Sequence, residues 1–143
     1  MRNFEQVESI LKSLEDPKRS ISRLFEKLIK HIINYLNILE EIKEEISELN
    51  EIYQIEILDQ EINFWIELKN QHISYGHGKH PNPDLSVSID EETIRKIYDS
   101  TITISEAYMK GVIKLKGDLS YAIRARNLIN YSVKLIKELL RKK

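Results

Sequence analysis

The hydrophobic repeat of this chain changes period at Asn50. Before that point, Ile21, Phe25, Leu28, Ile32, Tyr35, Leu39, Ile42, Ile46 and Leu49 follow one another at alternating steps of four and three, a heptad seam. After it, residues 52–58 and 62–68 alternate side by side, the period of a strand with one covered face. A chain that keeps its helical and strand periods in separate blocks folds as α+β, with helices gathered on one face of a mostly antiparallel sheet.

The seam admits two readings. Residues 20–50 form a single long helix that pairs with a second copy, or two helices that break near Asn34–Asn37 and fold back on a core. Leu24, Ile29, Ile33, Leu36 and Ile38 widen the apolar stripe beyond what a plain two-stranded coil uses. Upstream, Phe4, Val7, Ile10, Leu11 and Leu14 give residues 1–16 an amphipathic helical pattern, which Asp16-Pro17 ends.

Downstream, 52–58 and 62–68 are joined by Asp59-Gln60-Glu61, and 72–75 supplies a third strand of a meander. The stretch Gly76-His77-Gly78-Lys79-His80-Pro81-Asn82-Pro83 reads as loop, and 85–89 as a fourth strand. Asp90 is placed to cap a short helix that carries Ile94, Ile97 and Tyr98. Thr103-Ile104-Ser105-Glu106 matches a capping box for the next helix, and Gly111 stops it. Residues 112–116 alternate as a fifth strand, and Asp118 caps a long last helix.

Composition narrows the function classes. At 143 residues one domain is expected, and with no cysteine there is no disulfide framework, thiolate zinc site or cysteine nucleophile. The net charge of −1 carries no nucleic-acid signature. The longest uncharged apolar stretch, 31–39, is far below the ~20 residues of a membrane span, and acidic residues follow Met1 too closely for a signal peptide. A cytoplasmic location is therefore expected. The charges are segregated: residues 40–68 hold ten acids and one base, whereas 109–143 hold ten bases and two acids. Complementary solvated faces account for this; so would a basic C-terminal third that meets an anionic membrane surface or ligand head group.

No motif assembles catalysis. The chain has no nucleophile elbow, phosphate-binding loop, dinucleotide fingerprint or zincin motif. His72, His77 and His80 cluster, with Asp84 as a conceivable third ligand, but their spacing matches no recognised metal set and a polar loop explains them. Trp65, opposite Phe64 and Ile66 on its strand, is expected to pack in the core or on the second face of the sheet.

The segment 84–118 narrows the reading further. Asp84-Leu85-Ser86-Val87-Ser88-Ile89-Asp90-Glu91-Glu92 leads into an acidic helix start. It is followed by Glu106-Ala107-Tyr108-Met109-Lys110-Gly111 and then Val112-Ile113-Lys114-Leu115-Lys116-Gly117-Asp118, the pattern G-x-I-K-x-x-G-D, before a helix that begins Leu119-Ser120-Tyr121-Ala122-Ile123. In spacing and order, residues 49 to 130 resemble the sterol carrier protein type 2 domain. The chain departs from that family at Leu49-Asn50-Glu51, where glycines are usual, and at Ser100–Ser105, where a Gly and an Asp-Pro are usual.

The resemblance implies a five-stranded, mostly antiparallel sheet covered on one face by helices. Residues 1–50 would be N-terminal helices, an extension plus the first helix of the domain, and 51–143 the lipid-binding domain, together one structural unit. It implies a non-catalytic carrier without a cofactor, whose ligand is a fatty acid, acyl-CoA or isoprenoid lipid held in a hydrophobic tunnel. By analogy the tunnel is lined by Phe64, Ile66, Val87, Ile97, Tyr98, Ala107, Tyr108, Met109, Ile113, Leu115 and Ala122, with Lys110 and Lys114 at the head group. Two alternatives stand beside this reading. One is a structural module with a filled core that forms a homodimer through its N-terminal helices. The other is an accessory protein that presents isoprenoid quinone precursors to biosynthetic enzymes.

Overall fold

The computed structural model describes residues 20–141, together with Glu5, Glu8, Ser9, Lys12 and Ser13. The apolar residues of the expected helix over 1–16, and the Asp16-Pro17 pair that ends it, lie outside the described residues. From Ser20 onward the order is α1 (Ser22–Leu36), α2 (Glu40–Glu45), β1 (Glu51–Ile57), a 3-10 turn (Leu58–Gln60), β2 (Ile62–Lys69), β3 (His72–His77), β4 (Leu85–Ile89), α3 (Glu91–Tyr98), α4 (Ile104–Met109), β5 (Lys114–Gly117) and α5 (Leu119–Arg141).

The heptad seam is split between two helices. Helix α1 stops at Leu36, and Leu39 is extended before α2 begins. Asn37 sits at the break, and its side chain explains the placement. Its amide donates to the Ile73 carbonyl at 2.8 Å and its oxygen accepts from the Ile73 N–H at 2.8 Å. Strand β3 is an edge strand, so these outward backbone groups have no strand to pair with. The seam residues Ile21, Leu28, Ile42 and Ile46 are all buried in the chain's own core.

The other end of α1 has no side-chain cap of its own. Glu91, in the first turn of α3, takes that role from across the fold. It accepts from the Ile21 N–H at 2.6 Å and from the Ser20 and Ser22 hydroxyls at 3.1 Å each. A carboxylate at a helix N-terminus is also favoured by the helix dipole.

The five strands lie in the order β3-β2-β1-β4-β5. The pairs β1–β2, β2–β3 and β4–β5 are antiparallel, the first two as their short connections predict, whereas β4 returns parallel to β1. The sheet is therefore mixed. Asp84 starts the parallel pair: its N–H donates to the Ile52 carbonyl and its carboxylate accepts from the Ile52 N–H, both at 2.8 Å. Gly117 pairs with Leu85 at a φ of 135°, and a Cβ there would stand 2.5 Å from the Asp84 carbonyl oxygen. Only glycine fits that approach.

Several local expectations hold and two shift. Asp90 accepts from the Thr93 N–H at 2.8 Å, and Thr103 and Glu106 form the reciprocal capping box. Strand β3 continues through Gly76 and His77, so the loop begins only at Gly78. Strand β5 starts at Lys114; Val112 and Ile113 precede it, in a turn closed by their N–H groups on the Ala107 carbonyl.

The register puts Tyr53, Ile55, Ile57, Phe64, Ile66, Leu68, Leu85 and Val87 on one face. Helices α1 to α5 each contribute side chains to the clusters on that face. The opposite face is polar and carries Gln54, Glu56, Trp65, Ser86 and Ser88. No helix among the described residues is long and apolar enough to cross a membrane.

Candidate functional site

The apolar face is covered in two pieces. At one end Ile57, Ile62, Phe64 and Ile89 of the sheet pack with Leu28 of α1, Ile94 of α3, Ala107 of α4 and the neighbouring Ile102 and Ile113. At the other end Tyr53, Leu68, Ile73 and Leu85 pack with Ile33 and Leu36 of α1, Ile42 of α2 and the inner face of α5.

Between the two runs a row that takes one residue from every strand. Tyr75, Ile66, Ile55, Val87 and Leu115 touch both clusters, and each is only partly buried. Ile29 and Ile32 of α1 share both clusters from above. The contrast is sharpest along β1, the central strand. Tyr53 and Ile57 are 6% and 1% exposed, yet Ile55 between them on the same face is less buried than either. In a solid core the middle of the central strand is the most buried position, because neighbours close around it on every side.

Polar groups fix the walls around this row. Tyr75 donates its hydroxyl to Glu26 of α1, which also meets His77 Nδ1 at 3.1 Å, and the Tyr75 ring packs against Phe64. Burial and the bond to Glu26 push the Tyr75 hydroxyl well above the ordinary phenol range. At the start of β1 the buried Glu51 carboxylate accepts from the Tyr53 hydroxyl and, at 2.5 Å, from Arg124 Nε of α5. Burial first, and then the bond to Glu51, raise the Tyr53 hydroxyl further still. The Arg124 guanidinium lies over the Tyr121 ring, 4.9 Å from its centre. This network ties α5 to the central strand.

The structure brings most of the anticipated lining residues together. Ile66, Val87 and Leu115 lie in the row itself. Phe64, Ala107 and Ile113 are buried in the first cluster, with Ile97 packed against it, and Ala122 packs against the second. Tyr98, Tyr108 and Met109 are instead exposed, Met109 at 85%. Lys110 follows the end of α4 and, with Thr93, Lys96, Thr101, Ile102 and Val112, lines a separate cavity of about 150 Å³. Lys114 pairs with Ser88 and so belongs to the polar face of the sheet.

Ile55 and Tyr75 complete the row; neither is among the lining residues that the resemblance implies, although the alternation of β1 places Ile55 on the covered face. Glu51 has the same parity as Tyr53 and Ile55, which marks it as an acid on an apolar face. His77 and His80 do not converge. His77 faces Glu26, while His80 accepts from the Asn82 N–H and stands edge-on to Trp65. Among the described residues no three His, Asp or Glu side chains are placed to hold a metal.

A five-stranded mixed sheet with α1 to α5 packed on its apolar face defines an α+β domain. A model of the SCP-2 sterol transfer family matches residues 31–130, and the chain belongs to that family. Hydroxysteroid dehydrogenase-like protein 2 of Danio rerio is 28% identical over 80 residues, which are 54% of this chain and 19% of that protein. The chain thus spans about a fifth of the length of that relative. Among solved structures, Sterol Carrier Protein 2 from Yarrowia lipolytica in its apo form superposes with a TM-score of 0.62 at 17% identity, over 82% of this chain and 95% of its own. The structure described as "UbiJ-SCP2 Ubiquinone synthesis protein" gives 0.59 at 15% identity, over 76% and 98%. These likenesses show a shared fold.

Proposed function

We propose that the chain is a non-catalytic, cytoplasmic lipid carrier that holds one apolar chain along the row Tyr75–Ile66–Ile55–Val87–Leu115, under α1 and α5. The observation that carries this reading is the incomplete burial of Ile55 between two sealed neighbours on the central strand. A line of partly covered apolar side chains across the whole sheet is what a tunnel for an acyl or isoprenoid chain requires, and membership of the SCP-2 sterol transfer family supports it.

The binding energy would be desolvation. Each methylene removed from water contributes about 0.8 kcal/mol, so roughly ten of them supply ~8 kcal/mol with few polar contacts. Phe64, Ile97, Ala107, Ile113 and Ala122 would form the walls at the two ends of the row. Tyr98, Tyr108 and Met109 would stand at the entrance, with Lys110 near enough to meet a carboxylate or phosphate; Lys114, on the opposite face, has no part in it. The polar bonds from α1 to Ile73, Tyr75 and Glu91 support treating the N-terminal helices and the sheet as one unit.

The test is to fill the row. Val87→Phe should weaken binding of a fluorescent fatty acid at least tenfold and leave the unfolding midpoint nearly unchanged. A variant that binds as well as the parent, or that loses the ~1–3 kcal/mol typical of overpacking a solid core, would assign the row to a filled interior.

A further inference from the structure

Glu26 carries a charge into the covered side of the fold. It lies one turn before Ile29 on α1, and Ile29 packs over the row from above. Its side chain is only 18% exposed. Across from it, Tyr75 and His77 pair with Ile66 and Phe64, so both lie on the apolar face of the sheet. The carboxylate therefore closes the β3 end of the row, at the edge of the sheet.

Its partners leave the charge unbalanced. The Tyr75 hydroxyl and His77 Nδ1 both meet Oε2, and Oε1 takes part in neither contact. The hydroxyl is neutral, and the imidazole is charged only when protonated. Arg23, Lys27 and Lys30 of the same helix are exposed, and among the described residues no lysine or arginine forms an ion pair with Glu26. Taking a carboxylate out of water costs free energy that a cation or several hydrogen bonds must offset. A purely structural tie between α1 and β3 needs no charge, since a glutamine oxygen accepts from a tyrosine as well.

We infer that Glu26 receives the polar end of the ligand, and that this end is a protonated amine on a long apolar chain. The inference rests on the carrier reading and names the class of chain the row prefers. An ammonium at Oε1 would supply the missing positive charge and up to three donors. Its chain would run over Ile66 and Ile55 along the row. The Tyr75 hydroxyl would hold the carboxylate in place, and the His77 side chain, 73% exposed, has solvent to turn into. A fatty acid would fit the same row, but its carboxylate would be repelled at this end. A long-chain alcohol would offer a donor without the charge.

The full chain would be loaded with diphenylhexatriene, an uncharged fluorescent probe. Dodecylamine, dodecanol and dodecanoic acid would then displace it at neutral pH, each below its solubility limit. Glu26→Gln, His77→Lys and Glu40→Gln would be run beside the parent, with urea unfolding as the check on each fold. The parent should bind the amine about tenfold more tightly than the acid, with the alcohol between them. Glu26→Gln should abolish that preference. His77→Lys keeps Glu26 and sets a permanent cation against it, so it should do the same, and it serves alone if the first variant fails to fold. Glu40→Gln removes an exposed acid that pairs with Lys43, and should leave the preference unchanged. Equal or tighter binding of the acid by the parent overturns the inference and moves the head group to Lys110. A preference that survives both Glu26→Gln and His77→Lys, or that Glu40→Gln also abolishes, is general charge attraction and overturns it too. Failure to bind the probe or any of the three chains would contradict the carrier reading itself. Binding of all three without preference would leave that reading standing and remove only this inference.

Discussion

On the polar face of the sheet, the buried Gln54 donates to the Phe64 and Gly78 carbonyls at 3.0 Å each and accepts from the His80 N–H at 2.7 Å. Trp65 lies so close over Gly76 that a Cβ there would be 2.0 Å from its ring. The loop after β3 is thereby held down over the strands. On the other face, five helices cover two clusters and leave the row between them partly open. The polar face is closed only locally, where this loop lies over the buried Gln54, while the apolar face is buried at both ends and less buried along the row between them. Hydrogen bonds fix the loop on the polar side; on the apolar side the row is held by packing alone apart from the Tyr75–Glu26 bond.

Substitutions can break that contrast, and their expected costs fall in a definite order. Phe64→Ala, in the sealed first cluster, should cost ~3–5 kcal/mol of unfolding free energy in urea. Gly76→Val forces the Trp65 ring out of place and should cost about 1–3 kcal/mol, with fatty acid binding retained by the folded fraction. Asn37→Ala strips both bonds from the edge strand; a loss of ~1–3 kcal/mol is expected in the same assay, together with faster aggregation in light scattering. At the low end, Val87→Phe in the row should change stability by less than about 1 kcal/mol, below the overpacking range.

Alkali tests the polar anchors of the apolar face. The Tyr53 and Tyr75 hydroxyls are both raised in the folded protein, Tyr53 chiefly by burial and then by Glu51, Tyr75 by burial and Glu26. Below pH 10 both states hold these protons, and the stabilisation is complete. As pH rises past 10 the unfolded chain releases them while the folded chain keeps them, so stability should fall progressively. Urea midpoints between pH 8 and pH 11 should show this decline, and Tyr53→Phe should flatten it.

Much of this was legible in the sequence. The change of period at Asn50, the capping residues Asp90 and Thr103, and the pattern 111–118 placed the elements and the family, because each is a local signal. The break in the seam was not decidable, since Asn37 acts through Ile73, 36 residues away, and no period encodes that bond. The parallel return of β4 to β1 is likewise invisible to alternation, which reports only which side of a strand is covered. Eight of the eleven anticipated lining residues are packed on or against the clusters, because strand parity finds a face. Tyr98, Tyr108 and Met109 show the limit: on short helices of eight and six residues, spacing does not tell an inward residue from one at an exposed end.

The most direct test of the central claim is native mass spectrometry of the purified protein, with organic extraction of whatever it carries. An acyl or isoprenoid adduct at one molecule per chain, present on purification or formed on incubation with fatty acid, acyl-CoA or prenyl lipid, is the predicted result. A bare mass that stays bare through all three incubations would contradict it, and the row across the sheet would then be part of a filled core.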